Sequence, residues 1–184
     1  MRNLNLPNRL TMLRMLLVPV FIACFYLHEM IDWWNWLAAG VFVIAAVTDL
    51  FDGYIARSRN LVTSFGKLMD PIADKLLFCS AFIMLTWQHR LPAILCILFI
   101  GREIVISGFR LVTATSGTVI AAGSLGKLKT ALQAVGIVAV LLNNPIFEQW
   151  GIPFDGIVIS LAALVTVWSA ADYIIRNRKA VNWN

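Results

Sequence analysis

The chain has 184 residues, 60% of them hydrophobic and 14% charged, with a mean hydropathy of +0.79; it is too apolar for an ordinary soluble domain and long enough for several membrane spans. A net charge of +5 without interleaved basic and aromatic strands excludes a nucleic-acid groove and suits a rim that attracts anionic headgroups and phosphorylated substrates. Cys24, Cys79 and Cys96 each lie in an apolar stretch without paired spacing, so they read as small buried hydrophobes rather than disulfides or metal ligands.

Residues 1–7 are too short to span and are expected to lie along the interface before Pro7 starts or redirects the first helix. Apolar stretches follow at 10–20, 36–48, 76–87, 91–109, 130–142 and 156–171. Each can grow to roughly 20 residues by borrowing polar ends, enough for a helix across a hydrocarbon layer of about 30 Å. A closed barrel would need short alternating segments instead. The expected fold is therefore all-α: an integral membrane bundle of six transmembrane helices within 8–177, forming a single domain over 1–184 with a short C-terminal tail. Breaks are expected at 28–32, 58–66, 88–92, 116–127 and 143–153. No internal repeat of 20–50 residues is evident.

Of the 15 basic residues, all but Arg90 fall on the N-terminal, second-to-third, fourth-to-fifth or C-terminal side. The positive-inside rule then puts both termini in the cytoplasm, as in a bacterial-type cytoplasmic membrane. Trp33, Trp34, Trp36, Trp87, Trp150 and Trp183 cluster at expected span ends as an aromatic belt.

Four carboxylates stand out. Asp49 and Asp52 close the second span, and Asp70 and Asp74 open the third. On a helix Asp49, Asp52, Gly53 and Ala56 project from one stripe, and Asp70 and Asp74 share a face. Pro71 is tolerated if it lies near a helix start. A linker over 58–65 returns the two helices antiparallel, bringing both carboxylate pairs to one membrane boundary. Like charges so placed repel strongly. Divalent cations answer that repulsion, and hard oxygen ligands favour Mg²⁺ or Mn²⁺. A pair of such ions can clamp the attacking and leaving oxygens of a phosphoryl displacement. Solvated pairing with Arg57, Lys67 and Lys75 is the plainer account of any one of these acids, but not of four at this spacing. A divalent-cation pathway is a remoter alternative, since no acids mark the midplane or the far side.

The pattern D-x-x-D-G-x-x-A-R, eight residues, then G-x-x-x-D-x-x-x-D resembles the signature of the CDP-alcohol phosphotransferases, with Asp49, Asp52, Gly53, Ala56, Arg57, Gly66, Asp70 and Asp74 in every defined place. The resemblance implies a six-helix, dimeric membrane enzyme that displaces CMP from a CDP-linked donor at a two-metal site. Carried over, Asp49, Asp52 and Asp70 are metal ligands, and Asp74 completes the metal site and is the general base. Gly53, Ala56, Arg57 and Gly66 line the nucleotide site. The same resemblance sets Asn8, Thr11 and Arg14 beside the nucleotide; helix capping is the other account of Asn8 and Thr11.

The opening stretch 5–14 and the stretches 101–110 and 121–130 are similar to the branch of that family whose acceptor is glycerol 3-phosphate. This implies phosphatidyl transfer from CDP-diacylglycerol to that acceptor, yielding phosphatidylglycerol phosphate and CMP. Other acceptors in the family, such as inositol phosphate, serine or phosphatidylglycerol, are the alternative. The basic residues suit a phosphorylated acceptor independently, because Arg102, Arg110, Lys127 and Lys129 gather at the fourth-to-fifth hairpin. Snorkelling to headgroups is the alternative for Lys127 and Lys129. Glu103, one residue off the face shared by the two arginines, is expected to orient a neighbouring cation rather than bind metal. Asp172 is expected to pair with Arg176 at helical spacing.

Overall fold

The computed structural model describes residues 6–58, 64–115, 123–144 and 150–177, without the side-chain surroundings of 6–9, 49–58, 64–68, 70 and 114–115. The described residues form six α-helices and no strands: α1 (Leu6–Tyr26), α2 (Trp34–Ser58), α3 (Ser64–Trp87), α4 (Ala93–Thr115), α5 (Ser124–Leu141) and α6 (Phe154–Asn177). Each expected span is a helix. By length and composition, α5 and α6 are apolar enough to cross a membrane.

Several boundaries differ from expectation. Of the expected interfacial segment, 1–5 lies outside the described residues, while Leu6 and Pro7 already belong to α1. Pro7 occupies the first turn, where its missing N–H costs least. The break expected at 58–66 is shorter, because α2 runs through Ser58 and α3 begins at Ser64. Pro71 is therefore inside α3 rather than at its start. There it removes the bond that residue 71 would donate to the carbonyl of residue 67, interrupting the helix ladder across 67–71, the turn that holds Asp70 and precedes Asp74. The fourth break also shortens: α5 starts at Ser124, placing Lys127 in its first turn.

The helices group into two compact units divided between Gln88 and His89. In the first, α1 packs on α2 and α3. Its buried stripe is Thr11, Arg14, Val18, Phe21 and Phe25, whose alternating three- and four-residue steps are those of a coiled-coil seam. α2 answers with Ala38, Phe42 and Ala45, and α3 with Ala73, Leu77, Ser80 and Met84. Phe21 meets Phe42 at 6.0 Å between ring centroids, and Phe25 meets Trp34 at 5.2 Å, so α1 and α2 run antiparallel. Phe42 also stands edge-on to Phe78 at 5.5 Å, a favoured aromatic geometry.

In the second unit α6 is central, packing on both α4 and α5. Lys129, Gln133, Gly136 and Val140 of α5 face Ile159, Ala162, Thr166, Ser169 and Tyr173 of α6, again in seam phase. Gln133 Nε2 donates to Thr166 Oγ1 at 3.3 Å, joining two buried side chains. At Gly136 the helices approach so closely that an added Cβ would lie 2.8 Å from Ile159 Cδ1. α5 ends where Asn143 (φ 59°) and Asn144 (φ 54°) enter the left-handed region, which asparagine tolerates better than most residues. Arg90 caps the same end, donating to the Leu141 carbonyl at 3.2 Å, the Val140 carbonyl at 3.4 Å and Asn143 Oδ1 at 2.6 Å. Burial pushes its guanidinium pKa below the ordinary value, a desolvation cost that these acceptors offset.

Candidate active site

Every residue expected at the metal and nucleotide sites falls in the first unit. Asn8, Thr11 and Arg14 are on α1, Asp49, Asp52, Gly53, Ala56 and Arg57 on α2, and Gly66, Asp70 and Asp74 on α3. The surroundings of Asn8, Asp49, Asp52, Gly53, Ala56, Arg57, Gly66 and Asp70 lie outside the described residues. Their places in the helical register follow from spacing alone. The α2 stripe through Ala38, Phe42 and Ala45 continues in the same steps to positions 49, 52 and 56. The α3 stripe through Ala73 and Leu77 runs back to positions 70 and 66. One four-residue step from 70, Asp74 is half-buried.

On α1, Thr11 and Arg14 occupy the seam that buries Val18, Phe21 and Phe25, and both are themselves buried. An arginine so placed is expensive to desolvate, so its burial marks this end of the seam as a polar site rather than an extension of the apolar core.

The residues expected to take the acceptor's phosphate fall in the second unit, and the structure separates them. Lys129 is buried and its ammonium donates to Glu103 Oε1. Arg102 Nη1 donates to the same oxygen at 3.1 Å, while Nη2 donates to Ser169 Oγ at 3.2 Å. Ser169 is anchored in turn to the Thr166 carbonyl at 3.1 Å. Arg110 is more exposed, with Nε donating to the Tyr173 hydroxyl at 3.3 Å. Lys127 is exposed. Two residues from Lys129, it is turned about 200° around the helix and so cannot share its face.

Glu103 carries more of this site than its sequence position suggests. The buried stripe of α4 runs through Cys96, Phe99, Ile106 and Thr113, and its steps pass through positions 103 and 110. Glu103 and Arg110 are thus in phase with the core, and Arg102 sits beside them. The α6 partners Ser169 and Tyr173 escaped the sequence reading because each is an uncharged residue in an apolar span. The recurrence of Thr166, Ser169 and Tyr173 at helical steps was the available signal. Farther along α6, Asp172 Oδ1 accepts from Arg176 Nε at 2.6 Å, as its spacing predicts.

The sequence model of the CDP-alcohol phosphatidyltransferase family matches residues 4–168. Among individual proteins, the chain is 40% identical to the CDP-diacylglycerol--glycerol-3-phosphate 3-phosphatidyltransferase of Bacillus subtilis, over 96% of this chain and 97% of that protein. It is 40% identical to the protein of the same name from Rickettsia prowazekii, over 92% and 93% of the two chains. The Escherichia coli protein of that name is 38% identical over 92% and 93%.

Proposed function

The chain belongs to the CDP-alcohol phosphatidyltransferase family, and from that premise we propose that it is an enzyme of phospholipid biosynthesis transferring a phosphatidyl group from CDP-diacylglycerol to glycerol 3-phosphate, with phosphatidylglycerol phosphate and CMP as products. Relatives named for that reaction are similar along nearly the whole chain. The observation that carries the acceptor is the pairing of Lys129 and Arg102 around one carboxylate oxygen within the buried part of the second unit. Two cations held at low dielectric suit a phosphorylated acceptor, and a guanidinium fork adds directionality. Arg110 is the more exposed member of this acceptor set, and Lys127, on the other side of α5 from Lys129, serves it only as an outlying positive charge.

In the reaction, the acceptor's hydroxyl oxygen forms a bond to the phosphorus bearing the diacylglycerol. The bond from that phosphorus to the oxygen shared with CMP breaks, and its electron pair leaves with CMP. Asp74 accepts the hydroxyl proton. Asp49, Asp52, Asp70 and Asp74 supply the hard oxygen donors that Mg²⁺ or Mn²⁺ prefers, and their spacing on α2 and α3 fits a role in holding two ions. When bound, such ions neutralise pyrophosphate charge and stabilise the leaving group. Asn8, Thr11, Arg14, Gly53, Ala56, Arg57 and Gly66 form the nucleotide site in this reading, with buried Arg14 its strongest support.

The same reading makes the chain one domain, a six-span bundle in a bacterial-type cytoplasmic membrane, with termini and active site facing the cytoplasm. It works as a homodimer among membrane lipids. Outward-facing Leu16, Ile44, Ile83, Ile97, Ile104, Leu111, Leu164 and Trp168 support a lipid environment, being large apolar residues exposed on five helices. Purified protein given CDP-diacylglycerol and Mg²⁺ should release CMP only when glycerol 3-phosphate is present. Turnover on another alcohol with indifference to glycerol 3-phosphate would reject the acceptor and retain the family.

A further inference from the structure

The second unit contains a charged group that the reaction as written does not use. Glu103 lies in an apolar helix with its side chain 18% exposed, and it receives Lys129, 5% exposed, and Arg102, 11% exposed, on the same oxygen, Oε1. Lys129 comes from α5, and Arg102 reaches from α4 to Ser169 on α6. A single carboxylate therefore joins the three helices of the unit.

Packing alone gives poor reason for such a group. Buried ion pairs are weak contributors to stability, and apolar residues of similar volume commonly do as well or better. Their use lies in geometry. Lysine and arginine are rotamer-rich, and ordering them when a ligand arrives costs affinity. Anchoring both beforehand removes that cost and fixes their separation.

Building on the phosphatidyltransferase reading, we propose that Glu103 is a positioning residue, which holds the Lys129 ammonium and the Arg102 guanidinium convergent for the phosphate of the acceptor. In this assignment Glu103 contacts the two cations rather than a substrate. It acts through the two cations, and chiefly through Lys129, whose ammonium donates directly to its carboxylate.

The test is steady-state kinetics on the purified full-length protein, varying glycerol 3-phosphate and CDP-diacylglycerol separately. Glu103→Gln should raise KM for glycerol 3-phosphate about tenfold or more, while kcat and KM for CDP-diacylglycerol stay within about threefold. In a Lys129→Met background the same substitution should add less than about threefold, because the residue through which it acts is gone. Glu103→Asp keeps the charge on a shorter arm and should recover part of the loss, which also covers the case in which Glu103→Gln does not fold. An unchanged KM in Glu103→Gln or, failing its folding, in Glu103→Asp overturns the assignment. So does a fall in kcat alone, or an equal penalty with and without Lys129. Those results would leave the phosphatidyltransferase reading standing provided wild-type CMP release depends on glycerol 3-phosphate; release independent of that acceptor overturns both.

Discussion

Arg110 and Tyr173 are joined twice: the guanidinium Nε donates to the phenol oxygen at 3.3 Å, and its central carbon lies 5.3 Å from the centroid of the same ring. The ring is itself backed edge-on by Phe109 at 5.9 Å. A flexible and rather exposed arginine is thereby given a rigid support. Tyr173→Phe removes the hydroxyl and keeps the ring, so KM for glycerol 3-phosphate should rise by about threefold to tenfold with kcat nearly unchanged. Tyr173→Ala should cost more, since the cation–π contact is lost as well. Separate titrations of the two substrates read both effects.

Asp74→Asn should lower turnover by about 10²- to 10⁴-fold, the usual range for loss of a general base, while thermal unfolding and helix content stay near wild type. Asp49→Asn should lower activity and also shift the Mg²⁺ titration to higher concentration. An unaltered metal titration would remove Asp49 from the ligand set.

The contrast between these two sites shows what was legible in the chain. The six helices could be read from apolar run length, and the aspartate pattern from fixed spacing. Helix ends could not. α2 and α3 continue through polar residues because a polar stretch can be as good a helix former as an apolar one, so hydropathy does not mark where a helix stops. Hence Pro71 reads as a helix start and stands inside α3. The difference between Lys127 and Lys129 is invisible to composition and follows only from helical phase. Ser169 and Tyr173 gain meaning only once α6 is seen beside α4.

Gly136 permits a direct test of seam packing. Alanine at a helical glycine gains roughly 0.5–1 kcal/mol from backbone entropy, but its Cβ would stand 2.8 Å from Ile159 Cδ1 and 3.2 Å from Cγ1. Overpacking typically costs about 1–3 kcal/mol. Cδ1 ends a flexible side chain, but Ile159 is buried and its Cγ1 is also close, so it has little room to turn aside and Gly136→Ala should destabilise by about 1 kcal/mol on balance. In an Ile159→Val background, which removes Cδ1, the same substitution should become neutral or stabilising. Thermal melts of the four proteins in the cycle decide it.

Arg90 offers a separation of stability from activity. Its guanidinium satisfies the last carbonyls of α5, where the helix dipole also favours a cation. Arg90→Ala should destabilise the protein by about 1–2 kcal/mol through those lost bonds. Activity per folded molecule should be unchanged, and a specific-activity assay on material quantified by its melting amplitude measures it.

The seam of α6 has a consequence for how this chain can change. Ile159, Ala162 and Thr166 set the rotational phase in which Ser169 and Tyr173 meet their arginines. One residue inserted between Ile159 and Ser169 would leave the helix as hydrophobic as before, yet turn everything beyond it by about 100°. The insertion would carry both partners away from α4. Single-residue insertions and deletions within α6 should therefore be ruinous, even at positions far from any reacting atom.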